Sequence, residues 1–464
     1  MMKETPQNWS VRPLSEVVDI LDRKRIPVNA KERQQREGGI PYYGATGQVG
    51  WIDDYLFDEE LVLLGEDGAP FLDFRKQKAY IVRGKSWVNN HAHVLRSLNG
   101  LPNSYIKYYL DTVDYRPFVT GTTRLKLNQA AMKKIPIPIA PGNYPRRIVE
   151  EIEKQLSRLG ESVVNLKRVK ANLKRYKASV LQDAVTGKLT EEWRKQNPDV
   201  EPARKLLERI LIERRQKWEE TELAKMRAKG KEPNNDKWKE KYKAPLAPDI
   251  STLPDLPDQW MWTSTEQISN VTGGLTQNKK RDQYAAKMPF LRVANVYANE
   301  LRLDEVLEIG VLDSELGRVL LKKGDLLVVE GNGSPDQIGR LAIWDASVAP
   351  CVHQNHLIKV RLLMPEMGKL VLYWLLSLQG RQCIKAVANS TTGLYTLSIS
   401  KVSHLPSPLA PLREQQVIIQ EVESRLSVAA EIERTIDVNL KRAERMRQSI
   451  LKQAFSGKLC ECIL

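Results

Sequence analysis

The segment IPIPIAP, Ile135 to Pro141, leads into a long charged stretch that closes SVLQDAVTGKL, Ser179 to Leu189. The chain then writes the same text again. LPSPLAP, Leu405 to Pro411, leads to SILKQAFSGKL, Ser449 to Leu459, without a gap and at a constant offset of 270. Self-similarity over this length implies a molecule of two related halves. Between the two ends, apolar residues recur at a 4-3 spacing: Ile152, Leu156, Leu159, Val163, Leu166, Leu173, Val180 and Ala184. The second copy supplies Val422, Leu426, Ala429, Ile436, Leu440, Ala443, Ile450 and Ala454. Each narrow stripe predicts a helix of roughly 40 residues, about 60 Å long, with a coiled-coil seam. Lys170 and Lys177 interrupt the first seam, and Gly187 and Gly457 stand where a terminal glycine would stop each helix.

Outward from the helices the repeat continues at changing offsets. PQNW, Pro6 to Trp9, matches PDQW, Pro257 to Trp260, at 251. ELVLLGEDGAP, Glu60 to Pro70, matches DLLVVEGNGSP, Asp325 to Pro335, at 265, and WVNNHAHVLR, Trp87 to Arg96, matches VHQNHLIKVR, Val352 to Arg361, at the same offset. Insertions therefore sit inside the globular parts. The expected fold class is α+β: two mixed α/β domains, each followed by a long helix, with the helices paired as an antiparallel coiled coil in a pseudo-two-fold repeat. The boundaries are 1–141 for the first domain, 142–189 for its helix, 190–250 for a charged connector, 251–411 for the second domain and 412–459 for its helix. Glu60 to Gly65 and Lys78 to Val82 read as strands. In the connector, Leu206, Leu207, Ile210, Leu211 and Trp218 mark a short amphipathic helix, and Met226 to Asp249 reads as exposed linker.

The balance of 72 basic to 57 acidic residues, net +15, favours a polyanion and nucleic acid in particular. Four irregular cysteines argue for a reducing, cytoplasmic setting, with Cys460 and Cys462 in a frayed tail. The start carries no apolar signal region, and no apolar run approaches ~18 residues, so no membrane is expected. The pairs His91/His93 and His353/His356 lack a third ligand at metal-binding spacing, so no metal is expected. No phosphate-binding P-loop, nucleophile elbow or adenine-methyltransferase tetrapeptide occurs, so no catalytic residue is assigned.

Candidate DNA contacts are more numerous. Gly44, Gly47 and Gly50 punctuate YYGATGQVGW, Tyr42 to Trp51, which is open to reading as a structural turn or a phosphate-contacting loop carrying Thr46 and Gln48. Asn89, Asn90 and His91 in one half, and Asn332, Gln354 and Asn355 in the other, lie in the repeated segments. Lys167, Lys170 and Lys174 share a helix face with Lys177, a stripe that either neutralises phosphates or is simply solvated. Thr276, Gln277, Asn278, Lys279, Lys280 and Arg281 join amides to cations, the types that read base edges in the major groove.

These residues resemble those of the type I restriction–modification specificity (S) subunit family. The resemblance rests on the repeated helix, on DAVTGKLTEEWRKQNPD (Asp183 to Asp199), on the P-x-P-x-A-P lead-in to each helix, on PFLRVANVY (Pro289 to Tyr297) and on the loop around YYGATGQVGW. It departs after Leu459, where CECIL stands in place of a second TEEWR-like segment. The resemblance implies a non-catalytic chain that reads a bipartite, asymmetric double-stranded DNA site, one domain per half-site. The paired helices would act as ruler and as dock for two methyltransferase (M) subunits, with restriction (R) subunits joining them. It places no cofactor on this chain and implies S-adenosylmethionine, ATP and Mg for the partners. Leu156, Leu181, Gly187, Lys188, Leu189, Trp193, Arg194, Leu451, Gly457 and Lys458 would face those partners. The alternatives are a specificity subunit of a methyltransferase system without ATP-driven translocation, a non-specific coiled-coil scaffold, or a self-contained DNA-modifying enzyme.

Overall fold

A computed structural model of the chain describes residues 6–391 and 393–459. Cys460 and Cys462 lie outside the described residues. Packing groups the chain into two compact units that do not follow chain order. The first unites residues up to 170 with those from 433 onward; the second is 171–432. Each long helix, Tyr144–Val185 and Leu412–Phe455, therefore begins in one unit and ends in the other.

Both units use one plan. In the first, a four-stranded antiparallel sheet runs in the order Val18–Ile20, Ala92–Ser97, Leu61–Gly65, Ala79–Val82. In the second, the order Ser269–Gly273, Leu357–Leu362, Leu326–Val329, Leu341–Ile343 repeats it. Leu61–Gly65 and Leu326–Val329 are buried along their whole length, as continuous apolar runs at a sheet centre must be. A second, mixed sheet in each unit holds one parallel pairing. Tyr43 lies opposite Val88 in the first, and Leu291 opposite His353 in the second. The P-x-P segments form strands Pro136–Ile139 and Pro406–Leu409, paired with Ser10–Pro13 and Met261–Ser264. Two-stranded ribbons tolerate proline because each strand has a free edge.

The long helices meet antiparallel in both units. In the first, Ile148, Val149 and Ile152 share a core with Leu451, Ala454 and Phe455, while Lys170 Nζ lies 2.5 Å from the Asp437 carboxylate. In the second, Val180, Ala184 and Val185 share a core with Ile418 and Val422. The 4-3 stripe is the face turned inward: Ile152, Val180 and Ala184 are buried and the positions between them half-buried, Lys170 and Lys177 included, while Val169 and Tyr176 point outward. Gly187 (φ +74°) and Gly457 (φ +77°) end their helices in the left-handed conformation. A Cβ on Gly187 would lie 2.5 Å from the ring of Pro257, and one on Gly457 would lie 2.5 Å from that of Pro6. Each helix thus ends against the first residues of the other half's domain.

The connector is more structured than its composition suggests. Its helix runs from Ala203 to Ala228, and Asp236–Lys241 forms a 3-10 turn that returns Trp238 to Trp218. Among the described residues no helix is long and apolar enough to cross a membrane.

Candidate nucleic-acid interface

In the first unit, four loops converge at one end of the mixed sheet. The hairpin Ile40–Gly44/Gly47–Ile52 turns at Ala45 and Thr46, after a register shift between Tyr42 and Tyr43. Asn89 N–H donates to Tyr43 O at 3.0 Å, which brings the Asn89–His91 loop beside the hairpin. Tyr80 donates its hydroxyl to Gly44 O at 2.5 Å. Gly65 lets the third loop, Glu66 to Ala69, approach, since a Cβ there would sit 2.9 Å from Ala45 O. The fourth loop is Thr120 to Lys126.

Backbone bonds pin these loops in series. Glu66 N–H donates to His91 O at 2.8 Å, and Leu127 N–H donates to Glu66 O at 2.7 Å. Side chains add to this. His91 Nδ1 and Arg124 reach Asp67 at 2.7 and 3.0 Å, and Arg25 and Lys126 reach Glu66 at 2.8 and 3.3 Å. Beneath them His93 is buried between Asp22 Oδ2 at 2.7 Å and Leu127 O at 2.8 Å. Burial pushes the Asp22 carboxyl up, but the His93 hydrogen bond and charge, with the Val94 N–H and Arg25, outweigh it and hold the pKa below its ordinary value.

The second unit repeats the series with different side chains. Glu330 N–H donates to His356 O at 2.9 Å and Leu397 N–H to Glu330 O at 2.7 Å. His356 Nδ1 meets Glu330 at 3.0 Å, as His91 meets Asp67. Asn355 N–H donates to Leu275 O at 2.9 Å, which joins the 354–356 loop to the segment that continues into Thr276–Lys280. Gly331–Asn332 pairs with Leu394–Thr396, counterpart of the first unit's fourth loop.

The structure therefore brings Thr46, Gln48, Asn89, Asn90 and His91 together in one unit, and Thr276, Asn332, Gln354 and Asn355 in the other. Thr46, Gln48 and Asn90 are exposed, as are Thr276 to Lys280. Asn89 is only 8% exposed, and its side-chain oxygen accepts from His91 N–H at 2.8 Å, so that oxygen shapes the loop. Arg281 is also 8% exposed. Its guanidinium holds Glu315 in a fork at 2.7 and 2.9 Å and donates to Gly310 O and Thr276 O. That geometry braces the loop from inside and leaves the guanidinium nothing with which to read a base. The lysine stripe divides as well: Lys167 and Lys174 are exposed, but Lys170 turns into the seam toward Asp437.

The residues expected to face partner proteins are largely spent internally. Leu451 is fully buried against the first domain. Arg194 donates to Gly187 O at 2.8 Å and grips Glu414. Leu156, Leu181, Leu189 and Trp193 are half-buried, Gly187 and Gly457 are packed on prolines, and Lys188 and Lys458 are exposed. Sequence reading passed over the loop GTTRLK, Gly121 to Lys126, although the 270 offset extends back through Leu127/Leu397 and the helix caps Asn128/Ser398. Among the described residues no group of three or more potential ligands is placed to hold a metal.

Comparison with known proteins gives a consistent set of likenesses. Residues 6–174 match the model of the type I restriction modification DNA specificity domain. Over 142 residues, 31% of this chain, the sequence is 36% identical to a putative type I restriction enzyme specificity subunit, S.HindORF215P, of Haemophilus influenzae. The match spans 36% of that relative's length. It is 24% identical to the EcoKI specificity subunit of Escherichia coli K12, over 79% of this chain and 68% of that one. It is 22% identical to the E. coli EcoDI specificity subunit, over 98% and 89%. Among solved structures, the HsdS subunit of Thermoanaerobacter tengcongensis has a similar fold, with a TM-score of 0.54 at 14% identity over 98% of this chain and 99% of that one. A chain from a study of complex assembly and conformational transition in the type I R-M system aligns with a TM-score of 0.62 at 13% identity, over 98% and 100%.

Proposed function

Since this chain belongs to the type I restriction–modification specificity (S) subunit family, we propose that each of its two loop clusters reads one half of a bipartite, asymmetric double-stranded DNA site. The observation that carries the reading is the duplicated backbone series, His91–Glu66–Leu127 and His356–Glu330–Leu397. One scaffold is built twice, while the exposed side chains it presents differ. A rigid frame with variable loops is how a fold keeps its docking geometry and changes its sequence preference.

In the first unit Thr46, Gln48 and Asn90 are the exposed polar groups for base edges, with Arg124 and Lys126 beside them for phosphates. In the second, the exposed Thr276, Gln277 and Asn278, with the half-buried Asn332, Gln354 and Asn355 beside them, take the former role, and Lys279 and Lys280 the latter. Amides can satisfy adenine bidentately, and hydroxyls can serve any base. Lys167 and Lys174 are further candidates for phosphate.

Two M subunits would dock on the long helices, with R subunits completing the assembly. S-adenosylmethionine, ATP and Mg would act on those partners, and methylation would require the target base to leave the stack. Apolar side chains left exposed on the helices support a docking role: Val164, Val169, Val438 and Met446 in the first unit, and Tyr176, Val428 and Ile432 in the second.

Exchange of residues 1–141 for the corresponding domain of a relative tests this reading. The methylated motif, read by sequencing DNA from cells expressing the chain with its M partner, should change in one half only. A change in both halves, or in neither, with the complex assembled, overturns it.

A further inference from the structure

The connector carries a surface that the recognition loops do not account for. Its helix is anchored at the start by Ala203, Leu206, Leu207 and Ile210, which are buried in the second unit. From Glu213 to Ala228 no residue is buried. A helix with no buried face gains little from packing and needs another reason to persist. Part of that reason is local: the chain returns along it, stacking Trp238 on Trp218 at 6.0 Å and setting Tyr242 5.3 Å from Trp218. The hairpin is tied down where it leaves the domain. Arg214 donates to Ser269 O at 2.8 Å, Leu246 N–H donates to Glu266 at 3.0 Å, and Ser264 Oγ donates to Leu246 O at 2.6 Å.

Between helix and return segment lies a cleft of about 480 Å³. Arg214, Lys217, Lys225, Lys241 and Lys243 line it, against Glu222 as the one acidic residue of the lining. Lys217 and Lys225 make single exposed pairs with Glu213 and Glu222, each at 2.6 Å. Such pairs contribute little and exchange readily for a stronger anion. For Lys241 and Lys243 no ion pair is present among the described residues. The floor residue Asn270 belongs to strand Ser269–Gly273, whose far end delivers Leu275 and the Thr276–Lys280 loop. At about 3.3 Å per residue, cleft and loop are separated by roughly 20 Å along one strand.

We propose that this connector hairpin is a second DNA contact, a sequence-independent clamp that takes the phosphate backbone flanking the half-site read by the second unit. With Lys217 and Lys225 paired to Glu213 and Glu222, Arg214, Lys241 and Lys243 have no carboxylate partner among the described residues, and a polyanion supplies one. The stack of Trp218, Trp238 and Tyr242 holds the helix and the return segment together, and with them the lysines. The inference rests on the reading that the chain holds DNA, but it is tested by a different quantity.

The test uses the full chain with its M partner and a random-sequence duplex of about 40 base pairs, titrated between roughly 50 and 200 mM salt. The triple variant K217A/K241A/K243A should bind more weakly. Its slope of log affinity against log salt should be shallower by about 2 to 3, since each phosphate contact contributes about 0.9. The arginine triple at the same positions should restore the slope, and the methylated motif in cells should be unchanged in both variants. Benzoylphenylalanine at Thr221, on the cleft wall, should cross-link to the duplex. An alanine variant with unaltered melting and an unaltered slope overturns the proposal. So does loss of the M subunit with DNA binding intact, which would make the hairpin a protein dock. Failure of half-site reading itself would appear in the domain exchange, as a motif that does not change.

Discussion

Arg194 forms an ion pair with Glu414, a carboxylate with no exposure to solvent, across 220 residues of sequence. Thr190 Oγ donates to the same carboxylate at 2.7 Å and Trp260 Nε1 at 2.8 Å. The segment after the first helix is thereby joined to the start of the second helix and to the first strand region of the second domain. Removing the guanidinium leaves a buried carboxylate with two hydrogen bonds but no counter-ion, and breaking a buried pair typically costs up to about 3–5 kcal/mol. Arg194→Ala should therefore lower the denaturant midpoint markedly without changing the slope of the transition. Arg194→Lys should fall between, since an ammonium cannot reach Glu414 and Gly187 O together. A midpoint unchanged in Arg194→Ala would show that the cluster carries no stability.

Gly187 and Gly457 should behave alike under substitution, although one lies in each unit. Alanine at either position meets a left-handed backbone, at roughly 1–2 kcal/mol, and a proline ring at 2.5 Å. Gly39→Ala is the control, because nothing lies within 4 Å of a Cβ there. Thermal melts of the three variants should show two losses and one near-neutral change. Equal melts for all three would mean that the helix ends do not seat on the prolines.

Lys170 and Asp437 pair across the seam where the second helix has Leu440 in the corresponding place. The hydrogen bond to Asp437 raises the Lys170 pKa, with burial working against it. Because the pair is screened by water, its contribution should fade with salt. Lys170→Leu should keep or raise the melting temperature at high salt by extending the apolar seam. A large loss there would identify the pair as the element that fixes helix register.

His353 predicts a pH dependence. Its Nδ1 donates to Val319 O at 2.9 Å, while Nε2 is buried with no partner. Burial, with the neighbouring Lys359 charge, pushes its pKa from 6.5 down to about 4. The folded state thus holds a neutral ring where the unfolded chain would bind a proton. The stability gained above pH 6.5 is lost as pH falls from 6.5 toward 4, on the order of 3 kcal/mol in total. In His353→Gln, whatever its overall stability, the curve of unfolding free energy against pH should flatten in that window. A wild-type curve with no slope between those values would contradict the burial of an unpaired Nε2.

The exposed lysines and Arg281 separate two kinds of loop residue. Lys279→Ala and Lys280→Ala should each reduce the salt slope of DNA binding by about 1 at unchanged stability. Arg281→Ala should instead destabilise the second unit, because Glu315, Gly310 and Thr276 lose their shared partner. Loss of one base preference without loss of stability in Arg281→Ala would restore it as a reader.

Some of this was legible in the residues and some was not, for physical reasons. The repeat and the helical period are local patterns, so the seam from Ile152 to Ala184 and the stops at Gly187 and Gly457 could be read directly. The strands around Leu61 and Leu326 were legible because fully buried strands are uninterrupted apolar runs. Partner choice was not legible. Nothing near Arg281 announces Glu315, 34 residues away, and the spacing of Lys167, Lys170, Lys174 and Lys177 does not tell a solvated face from a seam. The loop Gly121 to Lys126 gave no signal because its anchors, Glu66 and Asp67, lie more than 50 residues upstream. Met226 to Asp249 read as linker because what holds it is a few aromatic residues, too sparse to give a period.

Phe455 packs edge-on to Tyr105 and Tyr109 at 5.1 Å, with Leu451 and Ala454 beside it in the same core. This contact has a consequence for synthesis. The first domain leaves the ribosome early, yet it waits about 350 residues for the helix end that completes it. At roughly 5–20 residues per second, the wait is on the order of 20 to 70 s. During that time Tyr105, Tyr109 and Ile148 lack their final cover, while the second unit, which draws on 171–432 alone, can close first. The half translated first is the last to be finished.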